Sequence, residues 1–423
     1  MVKRMKKVLF ISYYWPPSGK NTLHWPLFVM RHLPEFGWQP GVLTVEKDSF
    51  SFSDESLCAY IAPDVKVLRT KVHDPFSLYK KFIGKKQSDP LIGSEMFSHT
   101  DTSWRHRLAV WMRLNIFIPD ARIGWYCPAL RGGESFIDEE KPEAIVTIGP
   151  PHSSHLIGRK LSRRFGLPHV AVFIDPWVDI AYYRGYQRTK WALALDTHWE
   201  RSVMESARRL VFVTHDMCSV YMQKYPCISE KSDILYWGYS GELFPKNKPA
   251  GKTKEEVLLH AGNLYDYQNP QSLWKNIRYE IDRGRPLRLR FVGTVSSGIR
   301  QSIETAGLGP YTAYLGFLPL PQVLEEMEAA TYLLFCATEK RHVPGKLFEY
   351  LRAGNRIIGF GDDNEEIQMI LQKAHAGKLF PYQYQGTDIF QQVQSMTPDP
   401  DAAAQFDRKI IAQGLAKILD EIT

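Results

Sequence analysis

The chain has 423 residues, too many for one hydrophobic core and enough for two domains of roughly 200 residues each. Apolar residues make up 44% of it, ordinary for a globular protein, and no run approaches the ~18 apolar residues that a membrane-spanning helix requires. The net charge of +7 is moderate: it suits anionic small molecules or an anionic lipid surface without demanding either.

The basic start, MVKRMKKVLFISYYW, mimics a signal peptide, but its apolar run covers only Val8 to Tyr14 and ends in Trp-Pro-Pro. It reads as a basic leader into a first buried strand. Cys58, Cys127, Cys218, Cys227 and Cys336 are odd in number and show neither CxxC nor Cys/His metal spacing, so a reducing cytoplasm is the expected setting.

The first half alternates strand and helix patterns, as in a doubly wound parallel sheet. Strands are predicted at 8–13, 41–45, 65–69, 144–148, 170–174, 210–214 and 233–237, with helices at 23–33, 155–165, 190–207 and 215–225. The first strand enters the loop Trp15-Pro16-Pro17-Ser18-Gly19-Lys20-Asn21, which falls at the carboxyl end of a strand, where such sheets bind ligands. As an alternative, that loop is only a turn.

Residues 75–125 interrupt this rhythm. Lys80, Lys81, Lys85 and Lys86 flank Phe82 and Ile83, and 104–118 reads as a basic, aromatic helix with Trp104, Leu108, Trp111 and Ile118 on one side. Such a helix suits an anionic membrane surface, contacted by 80–118, or an ordinary core-facing position. Nucleic acid is not expected as a partner, because the basic residues form no stripe interleaved with stacking aromatics.

The strand at 144–148 ends in Gly149-Pro150-Pro151-His152-Ser153-Ser154-His155, which puts the imidazole of His152 at a strand end suited to ligand contact, with His155 second. The next strand ends at Asp175, placed to bind a ligand hydroxyl or to hold its loop. Glu200 and Arg201 read as surface residues of a long helix.

A Gly, Pro, Lys and Asn stretch at 238–252 reads as a linker. The second half restarts with a strand at 257–260 and a turn through Ala261, Gly262, Asn263 and Leu264. Strands follow at 287–292, ending at Gly293, at 313–317, leading to Leu318, at 332–337 and at 356–360. After Gly377 come a short segment at 388–394, a Pro-Asp-Pro break and a helix at 403–422.

The segment RHVPGKLFEYLRAGNRIIGFG, 341–361, organises the second half. A Pro-Gly turn opens a short helix carrying Lys346 and Glu349 three positions apart, and Gly354 stands where a C-cap is wanted. Free N–H groups, helix dipole and ammonium together suit a nucleotide diphosphate, while Glu349 suits a sugar diol. The alternative is a solvated Lys346 and a Glu349 paired with Arg352 on the helix surface.

The segments KKVLFISYYWPPSG, HLPEFGWQPGVLT, IPDARIGW, IVTIGPPHSSHLIG, DPWVDI, LLHAGNLYDYQNPQSLW, LRLRFVG and PGKLFEYLRAG together resemble, in order, the family 4 glycosyltransferases of the GT-B fold, in particular a bacterial exopolysaccharide subgroup. That resemblance implies an α/β protein of two Rossmann-like parallel-sheet domains facing a cleft, here 1–240 on the acceptor side and 241–400 for the nucleotide-sugar. A last helix, 401–423, would pack back toward the first domain.

It implies sugar transfer from a nucleotide-sugar to a saccharide or lipid-linked glycan acceptor in cell-surface polysaccharide synthesis. Anomeric configuration would be retained and no metal or cofactor needed, in the cytoplasm or at the inner face of the plasma membrane. His152, Lys346 and Glu349 are then the expected catalytic residues. Donor contacts are expected from Gly19, Lys20, Gly262, Asn263, Gly293, Leu318, Lys346 and Glu349, and acceptor contacts from Asp175 and His155.

Three departures from the family pattern stand out. Lys20 replaces the second glycine of the first loop, 265–269 lacks a cation, and Arg341 stands where the first Glu of a Glu-x7-Glu pair belongs. They leave open a second reading, a non-catalytic GT-B protein that binds nucleotide or glycan as the partner of another transferase.

Overall fold

A computed structural model describes residues 4–50, 52–72, 104–180, 183, 185–245, 255–337, 340 and 343–423. The chain divides into two units, Met1–Tyr236 with Ile411–Thr423, and Trp237–Ile410.

In the first unit, seven parallel strands run in the order β3-β2-β1-β4-β5-β6-β7. They are β1 (Lys6–Ile11), β2 (Trp38–Val45), β3 (Lys66–Thr70), β4 (Ala144–Gly149), β5 (His169–Phe173), β6 (Arg209–Phe212) and β7 (Ser232–Ile234). The central strands are buried apolar runs such as Val8-Leu9-Phe10-Ile11, as expected when helices cover both faces of a parallel sheet. The register Val8 opposite Pro40 on one side and Ala144 on the other makes β1 and β4 the central pair. Strand order reverses between them, so the loops leaving β1 and β4 flank a topological switch point.

The second unit repeats the plan with six parallel strands, β10-β9-β8-β11-β12-β13. These are β8 (Glu256–Ala261), β9 (Leu287–Val292), β10 (Thr312–Gly316), β11 (Tyr332–Cys336), β12 (Arg356–Phe360) and β13 (Gly377–Phe380). Its switch point lies between β8 and β11. Its core gathers Leu258, Leu289, Phe291, Leu334 and Ile358 from the sheet with Trp274, Ile277 and Phe390 from helices.

Several elements differ from the expectations. The helix expected over 403–422 is two helices, Pro400–Ala404 and Arg408–Ile422. The break lets the backbone pair with Tyr239, whose N–H donates to the Phe406 carbonyl at 3.0 Å and whose carbonyl accepts from Arg408 N–H at 2.8 Å. The helix expected at 104–118 ends at Asn115, and Ile118 is buried beyond it rather than aligned with Trp104 and Trp111. Strand β13 has only two strongly apolar residues, Leu379 and Phe380, too few for an alternation pattern. Lys80, Lys81, Lys85, Lys86 and Arg341 lie outside the described residues.

Candidate active site

Both units present loops at a switch point. In the second unit the decisive side chain is Lys346, the first residue of the helix Lys346–Ala353. That helix is tied to the sheet through Tyr350, whose hydroxyl accepts from Ala261 N–H at 2.9 Å and donates to the Leu334 carbonyl at 3.1 Å. It ends at Gly354, whose left-handed φ of 72° matches the expected C-cap.

The Lys346 ammonium lies over Gly262, the residue after β8: a β-carbon on Gly262 would stand 2.7 Å from Nζ. Gly262 has φ of 109°, a left-handed backbone that favours glycine there. Gly293, after β9, has φ of 100°, and a β-carbon on it would meet the Gly262 carbonyl oxygen at 2.6 Å. The two glycine turns therefore stack, with Gly262 N–H donating to the Val292 carbonyl at 2.8 Å. Asn263 closes the turn by accepting from Thr294 N–H at 3.4 Å.

Lys346 makes no ion pair with any described carboxylate. Its ammonium stands 3.5 Å from Nε2 of His260. His260 donates from Nδ1 to the Leu334 carbonyl at 2.9 Å, so Nε2 offers a lone pair to the ammonium. Burial pushes the Lys346 pKa down to about 8, and burial with the Lys346 charge holds His260 far below the ordinary imidazole range. Glu349, one turn along, is half-buried with no hydrogen bond or ion pair to a described residue. Burial raises its pKa against the pull of Arg408 and Lys346. The surface pair with Arg352 is not formed, because Arg352 instead covers the Phe244 ring, 4.9 Å from its centre. Leu318 is half-buried next to Phe317, which is almost fully exposed.

In the first unit the loop after β1 folds against 52–54. Gly19 N–H donates to the Phe52 carbonyl at 3.0 Å, and the Phe52 ring fills the space that a β-carbon on Gly19 would take. The Lys20 side chain makes no hydrogen bond or ion pair with a described residue.

After β4, Asp120 accepts from Ser153 N–H at 2.8 Å and Ser153 hydroxyl at 3.0 Å, anchoring the start of the helix Ser153–Phe165. His152, just before that helix, is buried: its ring stacks on Trp177, and Nε2 donates to the Pro176 carbonyl at 3.2 Å. Its Nδ1 has no hydrogen-bond partner among the described residues. Burial lowers the His152 pKa to about 3, so the ring is a neutral acceptor at physiological pH. His155 is completely buried, bonded through Nδ1 to the Thr147 hydroxyl at 2.7 Å, and that hydroxyl also contacts His169 at 2.8 Å. The expected acceptor-side residue His155 thus lies inside the core, because in the first turn of its helix it faces β4 and bonds to Thr147.

Asp175, after β5, is half-buried with no hydrogen bond or ion pair to a described residue, and desolvation raises its carboxyl to about 6. The segment that follows is held by a residue expected on the surface. Glu200 is completely buried and accepts from Val178 N–H at 3.0 Å, Tyr221 hydroxyl at 3.0 Å and Tyr225 hydroxyl at 2.7 Å. Lys224 completes its shell at 2.6 Å. A single Glu in a long helix carries no sign of this in the sequence, since its partners lie more than twenty residues away. Asp196, also buried, accepts from the Trp177 indole N–H at 2.7 Å and pairs with Arg188 at 2.5 Å.

Both patches therefore place a polar group with unfilled bonding capacity at a strand's carboxyl end: an ammonium in one unit, a carboxyl and an imidazole nitrogen in the other. No family model matches the sequence, and no curated protein matches it. Solved structures do. Sucrose-phosphate synthase from Thermosynechococcus elongatus is 12% identical with a TM-score of 0.62, covering 98% of both chains. HepE from Anabaena, in complex with UDP, is 12% identical with a TM-score of 0.63, over 98% of this chain and 100% of that one. A glycosyltransferase from Rickettsia africae ESF-5 is 9% identical with a TM-score of 0.63, over 99% and 98%. The fold is GT-B. No described helix is long and apolar enough to cross a membrane.

Proposed function

We propose that the protein is a glycosyltransferase that moves a sugar from a nucleotide-sugar to a saccharide or lipid-linked acceptor in cell-surface polysaccharide synthesis. The observation that carries this reading is the Lys346 ammonium, without a carboxylate partner among the described residues, over the Gly262 turn at the switch point of the second sheet. The GT-B likeness supports it, since HepE, one of the similar structures, is a complex with UDP or UDP-glucose.

In this reading Lys346, the stacked turns at Gly262 and Gly293, and the amino end of the helix Lys346–Ala353 receive the donor diphosphate. As the bond from the anomeric carbon to the phosphate oxygen breaks, negative charge grows on the leaving group, and a partly desolvated ammonium stabilises it more than a solvated one does. The acceptor oxygen bonds to the anomeric carbon, and its proton passes to a phosphate oxygen of the departing nucleoside diphosphate. The resemblance to family 4 supports retention of configuration and a reaction without metal. Glu349 and the Nδ1 lone pair of His152 are assigned to sugar hydroxyls, and Asp175 to an acceptor hydroxyl.

The test is a screen of UDP-, GDP-, ADP- and CMP-sugars for transfer or hydrolysis by wild type and Lys346→Ala. Turnover by wild type that the variant loses is the expected result. Nucleotide binding without turnover, whatever acceptor is supplied, would instead establish the non-catalytic binding protein.

A further inference from the structure

Trp237 belongs to the second unit and lies against the turn that opens the helix Lys346–Ala353. A β-carbon on Gly345, the residue before that helix, would stand 2.6 Å from the indole Nε1 and 2.8 Å from its neighbour Cδ1. Gly345 has ordinary right-handed dihedrals, φ of −55° and ψ of −35°. Its missing side chain, not its backbone, is what lets the indole come this close.

Arg408 holds the tryptophan in place. The Trp237 carbonyl accepts from Arg408 Nε at 3.2 Å, and the guanidinium lies 5.6 Å from the centre of the ring. Nη1 of the same arginine donates to the Ser240 hydroxyl at 3.1 Å. Glu349 stands on the same side of the helix. It is four residues beyond Gly345, and a helical side chain leans toward the amino end, over the residue four positions earlier. The Arg408 charge acts on its carboxyl as well.

The indole N–H of half-buried Trp237, like the Glu349 carboxyl, has no hydrogen-bond partner among the described residues. By contrast, Trp25, Trp38, Trp125, Trp177 and Trp274 each donate the indole N–H to an oxygen. A neutral N–H donor beside a carboxylate suits a sugar hydroxyl, which accepts through its oxygen and donates through its hydrogen. It does not suit a phosphate, which the carboxylate repels. The apolar face of the indole adds a surface for the C–H groups of a sugar ring.

We infer that Trp237 is a further donor-site residue, which with Glu349 grips a hydroxyl of a sugar ring. The indole N–H donates to the hydroxyl oxygen, and the carboxylate accepts the hydrogen bond that the hydroxyl gives. The ribose of the nucleotide and the transferred sugar present this same chemistry. The inference rests on the reading of Lys346 as the diphosphate contact.

The test is titration calorimetry of wild type, Trp237→Phe and Lys346→Ala with UDP, GDP and ADP, with the glucose ester of each, and with inorganic pyrophosphate. Trp237→Phe keeps a flat ring and removes the N–H. It should weaken the ligand that wild type binds by about 3–10-fold, the worth of one hydrogen bond, and leave pyrophosphate, which has no sugar hydroxyl, at the wild-type affinity. A loss for the bare nucleotide assigns the contact to ribose, and a loss confined to the glucose ester assigns it to the transferred sugar. The inference is overturned if Trp237→Phe binds every probe as wild type does, or if it loses pyrophosphate equally, which would make the indole a phosphate contact. In either case a loss by Lys346→Ala leaves the diphosphate reading standing. Binding of none of the probes to wild type would overturn both.

Discussion

The indole of Trp177 lies face to face with the imidazole of His152, ring centres 4.8 Å apart and planes 5° from parallel. Nothing about this contact is local. Trp177 N–H donates to the Tyr221 hydroxyl at 2.8 Å, the next N–H donates to Glu200, and the indole N–H donates to Asp196. Two buried carboxylates thus hold the ring on which His152 rests.

Removing Glu200 should expose how much this costs. Glu200→Ala leaves the Val178 N–H and two tyrosine hydroxyls without their acceptor and leaves Lys224 with Asp179 alone. A loss of about 3–5 kcal/mol is expected, as for breaking a buried ion pair from one side. Urea denaturation measures it, and a change below about 1 kcal/mol would show the network to be dispensable.

Among the described residues four histidines are buried: His152, His155, His169 and His260. Burial lowers His152 and His169 to about 3 and holds the other two well below the ordinary value of 6.5. As the pH falls below 6.5 the unfolded chain takes up these protons and the native one does not. Each histidine therefore removes up to about 1.4 kcal/mol of stability per pH unit toward acid. Imidazole carbon resonances of the four should stay at their neutral positions from pH 8 down to about 5. A midpoint near 6 for any of them would contradict its placement.

Asp175 works in the opposite sense. Its carboxyl is raised from 3.8 to about 6 by desolvation, so the native state favours the protonated form and pays for ionisation above that pH. Asp175→Asn stays neutral throughout. Its melting temperature should match wild type below about pH 4, pull ahead as the pH rises from about 4 to about 6, and keep a constant lead above that. A difference that does not vary with pH would mean that the carboxyl is well solvated.

Lys346 predicts a pH dependence of binding. With its pKa near 8 in the free protein, the ammonium is present at pH 7 and lost above. A bound diphosphate favours the charged form, so affinity for UDP should hold below pH 7 and weaken as the pH passes through about 8. Lys346→Arg keeps its charge across that range and should flatten the profile. Calorimetric titrations at pH 6.5 and 9 separate the two.

Much of the fold was legible because parallel strands buried on both faces read as short apolar runs ending in glycine or proline turns, as at Val8 to Ile11 and at 287–293. Lys346 and Glu349 were legible for a local reason: their spacing, the Pro-Gly turn before them and Gly354 after them lie within eleven residues of sequence. Glu200 and His260 were not. Their roles depend on Tyr221, Tyr225, Leu334 and Lys346, which only the tertiary fold brings to them. Gly19 was expected as a donor contact, but its N–H bond to the Phe52 carbonyl was not legible, because Phe52 belongs to a distant loop.

The most direct measurement is the affinity of wild type and Lys346→Ala for UDP, GDP and ADP by titration calorimetry at pH 7. The account predicts that at least one of these binds wild type and that the variant binds it about 10–100-fold more weakly, the worth of a charge-assisted contact to phosphate. Equal affinity in the two proteins, or no binding of any of them to wild type, would contradict it.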